Sequence, residues 1–316
     1  MFFVFLLYAL FASVFTVAKE ALQVSSPLFL LGSRMLLAGV LMLAFQYFRK
    51  KSSLTLRKDQ LIQVLLLGFF NIYLTNALEL WGLQYLTSFK TCFLYSLSPF
   101  LTALLSYFSF KEILNRKKWL GLLIGFSGFI PILLAHNVQE NISGQWGAFS
   151  LAELAVLGAV LSSVFGWIIL KKLVFHMECP FLVANGYSML FGGFIGLIHS
   201  MFSENWNPIP VTNTLRWLEC SLFLIIISNC ICYNLYGWLL KKFSSTFMAF
   251  AGLSTPLFTA LFGWIFFNEQ PHWDFFLSLM IVFFGLLMFY LEELKEMRLL
   301  LAKNEKAMED VPTRTS

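Results

Sequence analysis

The chain has 316 residues, of which 59% are hydrophobic, 18% aromatic and only 12% charged. Soluble domains carry roughly 25% charged residues, and a mean hydropathy of +0.75 leaves too little polar surface to cover a water-soluble globule. The same composition excludes a disordered chain and a nucleic-acid-binding domain. The high hydropathy and the low charge content indicate an integral membrane protein. The net charge of +5 is small, so we use the positions of the basic residues to orient the helices in the membrane and not as a sign of a binding surface.

Apolar stretches long enough to cross a bilayer recur along the whole chain. A hydrocarbon core of about 30 Å needs roughly 20 apolar residues in a helix, and such stretches can cross lipid only as helices. The predicted spans are 2–18, 28–48, 60–78, 91–110, 119–135, 154–170, 179–203, 220–240, 243–267 and 275–291. We expect an all-α membrane protein with ten transmembrane helices. The first stretch lacks a basic leader and a clear cleavage site, so we interpret it as a retained helix.

The distribution of basic residues orients these helices, because cytoplasmic loops are enriched in Lys and Arg. With the N-terminus in the cytoplasm, 18 of the 22 Lys and Arg residues fall in cytoplasmic loops or in the charged tail. Three fall in outside loops, and Arg34 lies within a span. We therefore expect both termini in the cytoplasm, with residues 292–316 as a charged cytoplasmic tail.

The chain contains an internal repeat. Residues 98–104 read SPFLTAL and residues 255–261 read TPLFTAL, an offset of 157 positions. Upstream the offset falls to 153, and there Asn76 aligns with Asn229. We expect two five-helix repeats at residues 1–135 and 148–291, joined by an extracytoplasmic linker at 136–147.

Five helices in each repeat place the second repeat in the membrane in the opposite orientation. The loops agree with this arrangement, because residues 111–118 are strongly basic whereas residues 268–274 contain no Lys or Arg. Inverted repeats are an architecture of secondary transporters, with the substrate site between the halves. We expect alternating access around a site at the middle of the membrane.

The Ser-Pro and Thr-Pro helices at Pro99 and Pro256 are each followed by a Glu that opens the next loop, at Glu112 and Glu269. Together with Arg34 in the second helix, these residues resemble the ten-helix EamA-type transporters of the drug/metabolite transporter superfamily. The resemblance covers about residues 2–291. It implies transport of a small organic molecule without a cofactor, and the family's substrates include amino acids, nucleosides, sugars, drugs and adenosyl compounds.

Three charged residues fall in or beside the spans, where charges are costly. The topology places Arg34, Glu79 and Lys90 in the outer third of the first repeat. One interpretation is a lining that meets a zwitterionic or charged substrate. The other is a structural ion pair between Arg34 and Glu79, with Lys90 reaching to the interface. The sequence leaves both open.

Uncharged polar and aromatic residues extend this candidate site. Asn76 and Asn229 lie on the third and eighth helices, Tyr233 and Tyr236 share the eighth helix, and Trp81 ends the third. Aromatic rings hold a flat or cationic solute by stacking and cation–π contact. Rings also pack in cores or face lipid, and this chain contains many of them.

Pro99 and Pro256 are predicted to lie inside helices four and nine. Proline removes a backbone hydrogen bond and kinks a helix, so we expect a kink with some hinge role. Thr102 and Thr259 can bond back to the freed carbonyls.

The other chemistry-bearing residues are scattered. The five cysteines have no metal-ligand spacing, so no metal site is expected. A membrane-embedded enzyme would need a nucleophile with a base, or a metal cluster, inside the spans. No such constellation is placed to act, and this makes the enzyme the weaker alternative.

The resemblance also suggests a substrate. A ligand carrying both charges, a nucleobase and a sulfonium centre would suit the mixed charges, the amides and the rings of the predicted site. Among EamA-like transporters this combination corresponds to S-adenosylmethionine, exchanged for S-adenosylhomocysteine. Arg34 or Lys90 would meet the carboxylate, Glu79 the amine, and the two asparagines the adenine or ribose. The composition resembles that of transporters of host-dependent bacteria, which implies the inner membrane. The alternative is an exporter of amino acids, nucleosides or drugs; the oligomeric state is not readable.

Overall fold

The structure is a computed structural model. It describes residues 2–50, 54–98, 100–102, 104–105, 115–131, 145–146, 149–239, 248, 251–252, 254–268 and 272–309. The helices are α1 (Phe2–Leu22), α2 (Pro27–Lys50), α3 (Lys58–Leu83), α4 (Ser88–Tyr95), α5 (Arg116–Ser127), α6 (Leu151–Phe175), α7 (Phe181–Ser203), α8 (Thr214–Leu239), α9 (Ser254–Phe267) and α10 (Trp273–Glu309). A two-stranded antiparallel hairpin, β1 (Gln145–Trp146) and β2 (Phe149–Ser150), precedes α6.

Seven helices in the described part of the chain are long and apolar enough to cross a membrane: α1, α2, α3, α6, α7, α8 and α10. The prediction of a helical membrane protein is therefore confirmed. α9 is apolar but shorter, and α4 and α5 have eight and twelve residues. Pro99, Glu112, Glu269 and most of the predicted linker (136–144 and 147) lie outside the described residues.

Helices that are equivalent in the sequence repeat pack against one another. α2 packs on α7, α5 on α10, and α4 on α9. α1 contacts α8 and α9, while α6 contacts α3 and α4. Small residues permit this close approach, as is usual between membrane helices: a Cβ atom added at Gly39 would lie 2.8 Å from the Gly186 oxygen.

Backbone irregularities recur at equivalent places in the two halves. α3 contains a π-helical stretch at Gly68–Leu74, and α8 contains one at Leu224–Cys232. Such stretches are often found at functional sites, because they redirect the side chains that follow. The Thr75 hydroxyl donates to the Phe70 oxygen at 2.8 Å, which satisfies a carbonyl freed by the irregular turn.

The proline prediction needs correction at Pro256. α9 begins at Ser254, so Pro256 lies in the first turn of that helix, where its missing N–H removes no helical hydrogen bond. A turn at Gly252 precedes the helix. Thr102 Oγ1 donates to the Ser98 oxygen at 2.7 Å and Thr259 Oγ1 to the Thr255 oxygen at 2.9 Å. The threonines therefore bond back by one turn, but not to the carbonyls of Tyr95 and Gly252, which are the ones that Pro99 and Pro256 leave without a helical N–H.

The α1–α2 and α7–α8 connections meet at one end of the bundle, which we call the Ser25 end. Ser25 forms an isolated antiparallel bridge with Val211, and the Thr212 N–H donates to the Val24 oxygen at 2.9 Å. The Glu204 carboxylate accepts from the first N–H groups of α2, at 2.7 Å from Leu28 N. These bonds satisfy the free donors of a helix start and join the two halves of the chain at this end.

Candidate functional site

A buried guanidinium lies at the centre of the candidate site. Arg34, on α2, is 2% exposed, and its Nη2 donates to Asn76 Oδ1 on α3 at 2.6 Å. The Asn76 amide also donates to the Ile72 oxygen at 2.8 Å and bonds the Tyr233 side chain of α8. Because Ile72 and Tyr233 fix the Asn76 side chain, Asn76 in turn fixes the position of the Arg34 guanidinium.

Arg34 keeps hydrogen-bonding capacity in reserve. Its Nε and Nη1 atoms are buried and have no hydrogen-bond partner among the residues that the structure describes. Leaving a buried charged donor unsatisfied is costly, so both atoms are available to a further acceptor. A carboxylate is the acceptor that a guanidinium binds best.

The acidic member of the site is Glu79, one turn after Asn76 on α3. Its carboxylate accepts a hydrogen bond from the Tyr95 hydroxyl at the end of α4. Glu79 and Arg34 interact electrostatically, but no ion pair between them is found within 4 Å in the described structure. The alternative of a structural Arg34–Glu79 ion pair is therefore not what the geometry shows: each charge is held by a neutral partner.

Aromatic rings from α6 and α8 lie next to this cluster. The Trp167 ring centroid lies 4.7 Å from that of Tyr236 and 5.5 Å from that of Tyr233. On the other side the Phe15 ring of α1 meets Tyr95 edge to face at 5.5 Å. Since Tyr233 also bonds Asn76, the rings and the charges form one continuous region, which we call the central cluster (Arg34, Asn76, Glu79, Tyr95, Trp167, Tyr233 and Tyr236).

The structure gives the other predicted site residues different partners. Lys90 Nζ lies 2.8 Å from Glu153 Oε1, with both side chains buried. Asn229 is buried against thioethers, its Nδ2 being 2.9 Å from Met35 Sδ, and its Oδ1 has no partner among the described residues. Trp81 meets Tyr85 edge to face, with ring centroids 5.2 Å apart.

Sequence reasoning missed Tyr95, and it counted Trp167 among the aromatic residues in or beside the spans without placing it in the predicted site. Tyr95 stands three residues before Ser98, at the point where α4 ends and the chain turns. A polar aromatic residue beside a broken membrane helix is the signal that could have found it, since discontinuous helices line transporter sites. Trp167 carries no such local signal.

Two cavities in the described part of the chain lie elsewhere, at the end of the bundle opposite the Ser25 end. One, of about 380 Å³, is lined by Gln46, Arg49 and Glu178 among others, and its neighbour of about 300 Å³ includes Arg57 and Cys179. Burial raises the pKa of the Cys179 thiol to about 11, so this thiol stays protonated at neutral pH. Neither cavity includes a residue of the central cluster.

Apolar membrane-crossing helices that surround buried charges of both signs and aromatic rings are the arrangement of a solute transporter, since buried charge in a membrane protein marks a substrate or ion pathway. The chain belongs to the EamA-like transporter family, whose sequence model matches residues 1–134 and 150–291. We call these ranges the first and second segments. The prediction of this family from Arg34 and the two prolines is confirmed.

Known proteins resemble most of the chain. An S-adenosylmethionine/S-adenosylhomocysteine transporter of Chlamydia trachomatis serovar L2 is 40% identical over 270 residues, which cover 85% of this chain and 82% of that protein. The protein of the same name from Chlamydia muridarum is 40% identical over 271 residues, covering 85% and 84%. A solved crystal structure superposes with a TM-score of 0.63 over 91% of this chain and 93% of its own, at 17% identity, and shows the fold alone.

Proposed function

We propose that the protein transports S-adenosylmethionine in exchange for S-adenosylhomocysteine. The observation that carries the proposal is the 40% identity to transporters of that name over 85% of the chain. The central cluster supports it, because it offers a cation, an anion and neighbouring aromatic rings within one region. A substrate with a carboxylate, an ammonium and an adenine has a partner for each.

The proposed roles follow from the free hydrogen-bonding capacity of the cluster. The unpartnered Arg34 Nε and Nη1 would donate hydrogen bonds to the substrate carboxylate, and Glu79 would hold the ammonium group. The adenine would stack on the rings of Trp167, Tyr233 and Tyr236, and the same rings would face the sulfonium by cation–π contact. The free oxygen of Asn229 is available to the amino edge of the base.

Transport would proceed by alternating access between two inverted five-helix repeats. The two family-matched segments, the pairing of equivalent helices and the matching π-helical stretches support a repeat of this kind. The positive-inside rule supports cytoplasmic termini in a bacterial inner membrane, with the Ser25 end outside. The predicted helices four and nine would bend near Pro99 and Pro256, at the turns of Ser96–Leu97 and Gly252, as the halves rock.

Uptake of labelled S-adenosylmethionine by bacteria that express the chain tests the proposal. Unlabelled S-adenosylhomocysteine should compete strongly, whereas methionine and adenosine alone should compete weakly, because each fills only part of the site. Efflux of preloaded label should accelerate when S-adenosylhomocysteine is added outside. Cells that contain the protein in their membrane but take up no label would disprove the proposal.

A further inference from the structure

A buried ion pair joins the two segments at the Ser25 end. Lys90 Nζ lies 2.8 Å from Glu153 Oε1, and each side chain is only 1% exposed. Lys90 belongs to the first segment and Glu153 to the second. Two charges taken out of water need a close partner, because a buried charge without one costs several kcal/mol.

Local helix chemistry explains the position of Glu153 but not that of Lys90. Glu153 lies in the first turn of α6 and accepts from the Ser150 N–H at 2.8 Å in a capping box, where the helix dipole favours an anion. Lys90 lies in the first turn of α4, where the same dipole disfavours a cation. The position of Lys90 is thus unfavourable within α4 itself, and it is explained by the contact that Lys90 makes with the other segment.

A second ion pair at this end provides a contrast. Arg216 and Glu20 also connect the two segments, at 3.1 Å, but their side chains are 50% and 26% exposed. Exposed pairs contribute little and re-form readily in water. The Lys90–Glu153 pair is different because it is dry, so its separation changes the solvation of both groups.

We propose that the Lys90–Glu153 pair is the gate of the Ser25 end, an inference that rests on the alternating access of the proposed function. The pair forms when this end is closed and parts each time it opens. Glu153 keeps its bond to the Ser150 N–H when the pair parts, and the long side chain of Lys90 extends to the aqueous interface. The Lys90–Glu153 ion pair stabilises the closed state, and it is lost when the opening of this end lets water solvate both groups.

A crosslink across the pair tests the gate directly. Cells carrying Lys90→Cys together with Glu153→Cys are treated with a short bis-methanethiosulfonate reagent, and each single-cysteine variant serves as a control for the native cysteines. The bridged protein should lose uptake and regain it with dithiothreitol, while both treated single variants keep their rates. Unchanged uptake in bridged protein would overturn the gate, and so would cysteines that never become reactive during turnover.

Neutralising both charges separates a gate from a merely structural contact. Lys90→Met with Glu153→Gln keeps similar volumes, and Gln at this position still completes the capping box. A weakened gate shifts the protein toward the open state, so the apparent KM for outside substrate should change at least about threefold with the same amount of protein in the membrane. Arg216→Met, which breaks the exposed pair, should leave KM unchanged.

An unchanged KM in the double variant, with or without a loss of protein, would refute the gate. The substrate assignment fails separately, because it would appear as no uptake of S-adenosylmethionine by the unaltered protein. The crosslink between the two introduced cysteines can be detected by mass spectrometry without any substrate. It therefore still reports whether positions 90 and 153 separate when the substrate assignment fails.

Discussion

The two segments share their backbone features but differ in the side chains at equivalent positions. α3 and α8 both contain a π-helical stretch, and Thr102 and Thr259 make the same bond to the carbonyl four residues earlier. Asn76 and Asn229 align in the repeat, yet Asn76 accepts from a guanidinium whereas Asn229 faces the sulfur of Met35.

We infer from this difference that the two segments share backbone features while the candidate site is divided between them. The first segment supplies the charges, Arg34 and Glu79, with the Tyr95 ring, and the second supplies the rings of Trp167, Tyr233 and Tyr236. Equivalent substitutions in the two segments should therefore have unequal effects.

The largest inequality should appear at Arg34 and at its repeat equivalent Tyr187. Arg34→Met removes the buried guanidinium and should lower uptake by about 30-fold or more, since truncating one partner of a buried charged contact costs about 2 kcal/mol or more. Tyr187→Phe removes only a 3.2 Å bond to the Leu54 oxygen and should leave uptake nearly unchanged. Initial uptake rates, divided by the amount of protein in the membrane, measure both effects. Equal losses in the two variants would contradict the unequal roles of Arg34 and Tyr187.

Substitutions at the helix contacts should act on the stability of the protein. A Cβ atom at Gly285 would lie 2.4 Å from the Gly125 nitrogen of the paired helix, so Gly285→Ala should destabilise the protein by about 1–3 kcal/mol through overpacking. Gly237→Ala is the matched control, because its Cβ would meet Phe181 at an ordinary 3.9 Å. Thermal unfolding in detergent measures both; similar melting temperatures would show that α5 and α10 can separate without cost.

The charge of Glu79 should matter more than its hydrogen bond. Glu79→Gln retains an acceptor for Tyr95 but removes the anion, and should lower uptake about tenfold, in line with about 1.5 kcal/mol for a bond to a charged group. Tyr95→Phe should cost less, because Glu79 keeps its charge. The two variants are compared by kcat/KM for S-adenosylmethionine, and a larger loss in Tyr95→Phe would show that the carboxylate only positions the tyrosine.

The aligned asparagines give the smallest and sharpest comparison. Asn76→Leu leaves Arg34 Nη2 without its partner and should reduce uptake several-fold, corresponding to about 1 kcal/mol. Asn229→Leu replaces an amide that contacts thioethers, so it should change uptake less than Asn76→Leu. A greater loss in Asn229→Leu would show that the contact of the Asn229 oxygen with the base matters more than the positioning of Arg34 by Asn76.

Much of the architecture could be predicted from the sequence, because membrane crossing depends on local composition. The lengths of the apolar stretches predicted helices at 28–48 and 179–203, and the structure has them as α2 and α7. The Thr102 and Thr259 bonds were predictable for the same reason, since each joins a side chain to a carbonyl one turn away. The number of ten spans and the inverted orientation of the second repeat stay predictions.

Tertiary structure alone decided which partner each buried polar group takes. The sequence placed Arg34, Glu79 and Lys90 at one level of the membrane, but it could not show that Glu79 is held by Tyr95 and Lys90 by Glu153. Those partners come from helices distant in the chain, and a buried charge accepts whichever partner the packing of those helices brings within hydrogen-bond distance. Composition thus determines by itself that the chain lies in the membrane, and packing determines which of its charges remain free for a substrate.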